Sequence, residues 1–364
     1  VDYYLTHTRD IVNRCDDSVI RNGYIIRLSR GFAPKRTKIF LGEKVILGTG
    51  PELNSTVTLY THGFCITSPH IGNVRNPGTY GYLKETIACL RDLMQPDISI
   101  IAHDLHPQFL STRYAKELSE VTDAVLIPVQ HHQAHIAATC QEECIGIAID
   151  GVGYGSDGTI WGGEIFEGAA PEYNRVGHLM PVLMPGGDLA TTWPERMLYG
   201  ILPDEKTKEL LLTRTWTEKD LLILEKQVSR RFNTAITTST GRVLDAAAAL
   251  LGICRKKTYD GEPAMKLESA AFGSSPDTWE IPLTRIGEAQ VLDTQSLLKK
   301  ARDLYLQNPF DTSAIKQIAA SFQYNLARGI ATIACNAGAG AGINTIALSG
   351  GVAYNEMIRK TIGD

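Results

Sequence analysis

From Val45 onward, apolar and polar positions fall into short blocks punctuated by glycine. Val45 to Leu47 form an apolar strand, Gly48-Thr49-Gly50 a turn, and Ser55 to Tyr60 a second strand rich in Thr, Val and Tyr, which predicts a β-hairpin bent around a ligand-sized loop. The unit recurs with Ile145 to Ile149 as first strand, Gly151-Val152-Gly153-Tyr154-Gly155 as turn and Thr159 to Phe166 as second strand. Two hairpins of one design point to two related lobes. Between them Leu83, Ile87, Leu90 and Met94 mark one helical face, followed by a strand from Ile98 to Ala102, so the sheet is expected to be mixed. Gly241 to Lys256 reads as an alanine-rich buried helix, and Ile315, Ile318, Phe322, Leu326, Ile330 and Ile333 as the stripe of a long amphipathic one. A strand from Thr345 to Leu348 then runs into Ser349-Gly350-Gly351-Val352 and a helical run from near Ala353. A strand, a glycine pair and a helix start make an anion site, because free N–H groups and the helix dipole point the same way.

Composition narrows the class. With 364 residues, 43% of them apolar and 21% charged, the chain can bury a sizeable core and is long enough for two or three domains, which excludes disordered and fibrous classes. No apolar run reaches the ~18 residues of a membrane span; the stretch Thr332 to Gly351 is broken by Asn336 and Asn344. The first residues lack the charged and apolar regions of an export signal, so the cytoplasm is the expected compartment. The seven cysteines are scattered without a Cys-x-x-Cys pair, which argues for reduced packing residues. A net charge of -4 gives no global pull toward a polyphosphate backbone, so nucleic acid is not the expected partner. Residues 1 to about 40 show little periodicity and begin without methionine, as expected of a fragment.

Candidate chemistry centres on His131-His132-Gln133-Ala134-His135. On a helix, His131 and His135 emerge on one face one turn apart, a spacing that lets two imidazole nitrogens bind one ion. A polar helix start is the plainer alternative, and His132 is out of phase. Asp150, at the end of the following strand, could bring a carboxylate to the same ion. The glycine run from Gly151 to Gly155 lets backbone N–H groups approach phosphate; an ordinary hairpin turn explains it equally, and it lacks the Gly-Lys-Ser/Thr ending of a P-loop. Together with the turn at Gly48 to Gly50 and with Ser349-Gly350-Gly351, it predicts three backbone loops around one cleft, as in actin-like phosphotransfer folds.

The order of several segments identifies a family. Asn13-Arg14-Cys15-Asp16-Asp17-Ser18-Val19, Arg30-Gly31-Phe32-Ala33-Pro34, Ser68-Pro69-His70-Ile71-Gly72, Asp104-Leu105-His106-Pro107, the histidine run, Asp150 to Glu164, Pro185-Gly186-Gly187-Asp188, Ser239-Thr240-Gly241-Arg242, Tyr259-Asp260-Gly261-Glu262 and Ser349-Gly350-Gly351-Val352 follow one another along nearly the whole chain. The chain resembles the HypF carbamoyltransferases of hydrogenase maturation, from the end of their YrdC-like domain through most of their TsaD-like domain. The resemblance implies an α/β, two-lobed actin-like (ASKHA) fold with mixed sheets flanked by helices. Residues 1–40 would be the end of the YrdC-like domain and a linker, 41–144 the first TsaD-like lobe, and 145–364 the second lobe with returning helices.

The resemblance further implies that carbamoyl adenylate, made from carbamoyl phosphate and ATP with Mg, delivers its carbamoyl group to the C-terminal cysteine of the partner HypE, on the way to the cyanide ligands of [NiFe]-hydrogenase. His131, His135 and Asp150 match the family's metal ligands and catalytic centre, the ion being divalent, iron or zinc. Gly151, Gly153, Gly155, Ser349, Gly350 and Gly351 match its phosphate loops. Gly241 and Asp245 match positions near the ribose, and Glu268 is a further candidate for nucleotide binding. Asp245 could instead be an exposed polar position on its helix, and Glu268 a surface charge. Two departures stand out: the aspartate of an Asp-Gly-Gly-Ile type motif expected after Ser-Gly-Gly-Val has no counterpart before Asp364, and Asn54 stands where relatives are expected to carry lysine. The competing readings are a TsaD-like tRNA threonylcarbamoyladenosine transferase, a small-molecule O-carbamoyltransferase, and a non-catalytic nucleotide sensor that would need the cleft without the histidines.

Overall fold

The computed structural model describes residues 2–214 and 216–364, which form two compact units, up to Val129 and from Gln130 onward. The helix carrying the histidines belongs to the second unit, because it packs on that unit's strands.

In the first unit, β1 (Val19–Arg21) and β2 (Tyr24–Arg27) pair as a separate hairpin. The main sheet is built from β3 (Lys35–Lys38), β4 (Ile46–Gly48), β5 (Thr58–Thr61), β6 (Phe64–Thr67), β7 (Ile100–Asp104) and β8 (Val125–Val129). Its order is β3-β6-β5-β4-β7-β8, antiparallel through β4 and parallel from β4 to β8. The helix α1 (Pro77–Met94) makes the crossover from β6 to β7, and α2 (Leu110–Thr122) the one from β7 to β8. Asn76 caps α1 by accepting the N–H groups of Gly78 and Thr79, with Pro77 at the first helical position, where its missing N–H costs nothing. Of the predicted face, Leu83 and Ile87 are buried against Leu47, Leu59 and Ile101, while Met94 at the frayed end is 43% exposed.

The second unit runs α3 (His131–Thr139), β9 (Cys144–Tyr154), β10 (Ile160–Ala169), β11 (Glu172–Leu179), β12 (Val182–Pro185), α4 (Asp188–Thr192), α5 (Pro194–Ile201), α6 (Glu205–Leu212), α7 (Glu218–Arg230), β13 (Thr234–Thr237) and α8 (Thr240–Leu250). It continues with α9 (Glu262–Ala270), β14 (Leu283–Ile286), β15 (Ala289–Leu292), α10 (Thr294–Gln307), α11 (Thr312–Ala341), β16 (Ile346–Ser349), a short 3-10 turn (Gly351–Tyr354) and α12 (Glu356–Gly363). At the sheet's centre β9 pairs antiparallel with β10 and parallel with β16, and β10 pairs antiparallel with β11. From Cys144 to Ile149 every residue of β9 is buried, as expected of a strand covered on both faces; α3, α8 and α11 pack against it. Burying Ile145, Ile147 and Ile149 contributes about 1.5–3 kcal/mol each.

Two predicted elements differ in extent. The alanine-rich helix stops at Leu250 rather than Lys256, because Gly252 turns the chain at φ +70°; all of its residues are buried, as expected. The glycine run is not a loop throughout: β9 continues to Tyr154 and the turn closes between Gly155 and Thr159, whose N–H and C=O are 2.9 Å apart. Within that strand the ladder slips. Ile149 faces Gly163 and Gly153 faces Trp161, so Asp150, Gly151 and Val152 stand opposite Gly162 alone. This bulge re-aims the side chain of Asp150. Among the described residues, no helix is long and apolar enough to cross a membrane.

Candidate metal centre

The three residues singled out by spacing converge. Gln130 caps α3, its Oε1 accepting the N–H groups of His132 at 2.7 Å and Gln133 at 2.9 Å, so the helix starts with both histidines facing the bulge. Nε2 of His131 lies 3.5 Å and Nε2 of His135 lies 3.3 Å from Oδ2 of Asp150, and one ligand atom from each residue lies within 4.8 Å of the others. Donor atoms bound at ~2.0–2.2 Å around one ion stand at comparable separations, so this set fits a divalent cation. It is the only such group of His, Cys, Asp and Glu among the described residues.

Asp150 and His135 are each held by a second contact, which is how metal sites fix orientation. The other oxygen of Asp150, Oδ1, accepts the N–H of Gly151 at 2.7 Å. Nδ1 of His135 lies 3.3 Å from Oγ of Ser349, at the end of β16. Burial pushes the Asp150 carboxyl up, but hydrogen bonds from His131 and His135 and their charges outweigh burial and hold it far below the ordinary carboxylate range. An ionised carboxylate facing two imidazoles is the state a cation requires.

The glycines beside the centre are required by packing. A Cβ on Gly153 would come 2.3 Å from Cε1 of His132, and one on Gly350, at φ +105°, would come 2.2 Å from the carbonyl oxygen of Ile149. His132 is fully buried and faces away from the ligand set, with Nδ1 3.3 Å from Nε2 of Gln130. Gly351 borders the centre as well: a Cβ there would stand 3.0 Å from Oδ1 of Asp150. Gly155 belongs to the turn beyond the bulge.

The start of α8 closes the site from another side. Oγ of Ser239 lies within 2.9 Å of the carbonyl oxygen of Asp150 and 2.7 Å of that of Gly151, and it accepts the N–H of Arg242 as helix cap. Gly241 abuts Gly151 so closely that a Cβ would stand 2.8 Å from its Cα. Asp245, one turn on, is only 1% exposed; burial raises its pKa, so it is not the exposed helix-face residue that the alternative reading pictured. Glu268 is half-buried, and its Oε1 accepts the N–H of Glu356 at 2.8 Å, which ties α9 to the first turn of α12. Gly48, Thr49 and Gly50 belong to the first unit.

Two charged residues near the site went without a role in the sequence reading. Glu164 is fully buried in β10 and accepts hydrogen bonds from the N–H groups of Gly162 and Gly163, from Oγ1 of Thr238, and from Nε of Arg175 at 2.6 Å. It thereby fixes the strand opposite the bulge. Arg242 is the other. Only its place directly after a predicted helix start hinted at either residue's burial.

Comparison with known proteins agrees with this architecture. Residues 42–142 match the HypF Kae1-like domain, and residues 146–364 match the second subdomain of the carbamoyltransferase Kae1-like domain. The chain is similar to a probable carbamoyltransferase HypF of Methanocaldococcus jannaschii, at 40% identity over 99% of this chain and 48% of that protein. It is also similar to a carbamoyltransferase HypF homolog of Cupriavidus necator, at 31% identity over 87% of this chain and 83% of that protein. Among solved structures, a full-length HypF in a phosphate- and nucleotide-bound form superposes with TM-score 0.89 at 34% identity, covering 97% of this chain and 47% of that one. The chain thus spans about half the length of the first of these relatives.

Proposed function

The chain belongs to the HypF carbamoyltransferase family, and we propose that it binds carbamoyl adenylate, made from carbamoyl phosphate and ATP, and passes the carbamoyl group to the C-terminal cysteine of HypE. The observation that carries this reading is the convergence of His131, His135 and Asp150 beside the start of α8. The related full-length HypF in its phosphate- and nucleotide-bound form supports a nucleotide here.

The reaction is an acyl substitution: the cysteine thiolate attacks the carbamoyl carbon, the new C–S bond forms, and the C–O bond to the adenylate breaks with its electron pair leaving on AMP. A divalent ion of the iron or zinc class, held by His131, His135 and Asp150, would supply Lewis-acid polarisation of a phosphoryl or carbamoyl oxygen. The chain's own residues hold the geometry. Ser349 fixes the ring of His135 and the Gly151 N–H fixes Asp150. The helix dipole at the start of α8 favours the negative charge that accumulates on the departing phosphate.

The test supplies carbamoyl adenylate and the metal-loaded chain to a HypE-type acceptor ending in cysteine, to tRNA and to an amino sugar, followed by mass spectrometry. The reading predicts a carbamoyl group on the terminal cysteine. Carbamoylation of tRNA or of the sugar, with the cysteine untouched, would overturn it in favour of the corresponding relative.

A further inference from the structure

The first turn of α8 carries buried polar groups that the fold leaves unsatisfied. Arg242 is 8% exposed and Asp245 1%, and Nη2 of Arg242 stands 2.9 Å from Oδ2 of Asp245. Beyond that ionic contact, Nε of Arg242, both oxygens of Asp245 and Oγ1 of Thr240 have no well-directed hydrogen-bond partner among the described residues. Buried charges and hydroxyls left this way are costly, and in a native structure each calls for an explanation.

An atom placed where a side chain would begin on Gly151 lies 3.6 Å from Nη2 of Arg242 and meets no other group within 4 Å beyond the neighbouring residues. The guanidinium therefore walls an open space directly after Asp150, at the start of a helix of eleven residues. The Nη2 edge of Arg242 faces that space, and an anionic oxygen of a nucleotide phosphate placed there would be its acceptor. Arginine suits phosphate through its planar, charge-assisted hydrogen bonds.

We propose that Arg242 is the residue by which this site distinguishes a nucleotide from the corresponding nucleoside, with Asp245 as the positioning residue that holds the guanidinium. This rests on the nucleotide reading above and names the group that reads the phosphate.

Calorimetric titration of the purified chain with AMP and with adenosine separates the contributions. The wild-type chain is expected to bind AMP at least about tenfold more tightly than adenosine. Arg242→Gln should bring the ratio close to one, and Arg242→Lys should fall between. Equal wild-type affinities, or an unchanged ratio in Arg242→Gln, would overturn the proposal. Thermal melting followed by circular dichroism identifies a misfolded variant; Arg242→Lys then decides, and an unchanged ratio in it counts against Arg242. Binding of neither ligand removes both this proposal and the nucleotide reading. A preserved preference for AMP with no carbamoyl transfer removes only the proposed acceptor chemistry.

Discussion

The two units repeat one design and differ in what is attached to it. In the first, the meander β4-β5-β6 pairs its first strand in parallel with β7; in the second, β9-β10-β11 pairs its first strand in parallel with β16. The first-unit strand spans only Ile46–Gly48, and Gly48 has ordinary room: a Cβ there would stand 3.7 Å from the carbonyl oxygen of Thr58. The second-unit strand runs from Cys144 to Tyr154, carries a bulge at Asp150, and is covered by α3 with His131 and His135. A shared scaffold thus hosts the candidate ion site in one copy only, which illustrates that chemistry belongs to grafted sites rather than to folds.

The contrast can be broken or sharpened by substitution. The largest expected effect is on transfer: His131→Ala combined with His135→Ala should lower the carbamoylation rate by about a thousandfold, as measured by mass spectrometry of the acceptor, since the polarising charge is lost. A double variant with near wild-type rate would separate the histidines from the reaction. Next come the paired glycines of the two hairpins. Gly153→Ala drives a methyl against His132 and should cost about 1–3 kcal/mol in denaturant unfolding, whereas Gly48→Ala should stay within about 0.5 kcal/mol. Equal costs would show that the second hairpin is no more crowded than the first. Smaller still, Ser349→Ala removes the contact to Nδ1 of His135 and should weaken metal binding about tenfold in a competition titration with a chelating dye.

The smallest effect concerns pH. A hydrogen bond from Lys266, then those from the N–H and hydroxyl of Thr258, hold Glu262 down to about 2 from its ordinary 4.5. Its folded pKa is depressed, so the stability it contributes is present above 4.5 and is lost as pH falls from 4.5 toward 2. Glu262→Gln should flatten the decline in unfolding midpoint over that window, and an unchanged slope would assign the decline to other carboxylates.

Local pattern made much of this legible. The spacing of Ile315, Ile318, Phe322, Leu326, Ile330 and Ile333 foretold α11, which buries Ile318 through Ile333 on that stripe, and the histidine spacing brought together the two rings that do face one carboxylate. The bulge was not legible, because it depends on the register of β10 against β9 rather than on the residues of either strand. Glu164 and Arg242 were passed over for a related reason: a charged residue reads as solvent-exposed until its buried partners, Arg175 and Asp245, are brought beside it by packing. The alanine-rich helix was drawn too long because apolar composition continues past the turn at Gly252.

The central claim, that the second unit binds one divalent ion through His131, His135 and Asp150, is tested most directly by elemental analysis of the chain after loading with iron or zinc and removal of free metal. The account predicts one equivalent of ion per wild-type chain and almost none in a folded His131→Ala, His135→Ala variant. A wild-type chain that retains no ion, or a variant that retains as much as the wild type, would contradict it.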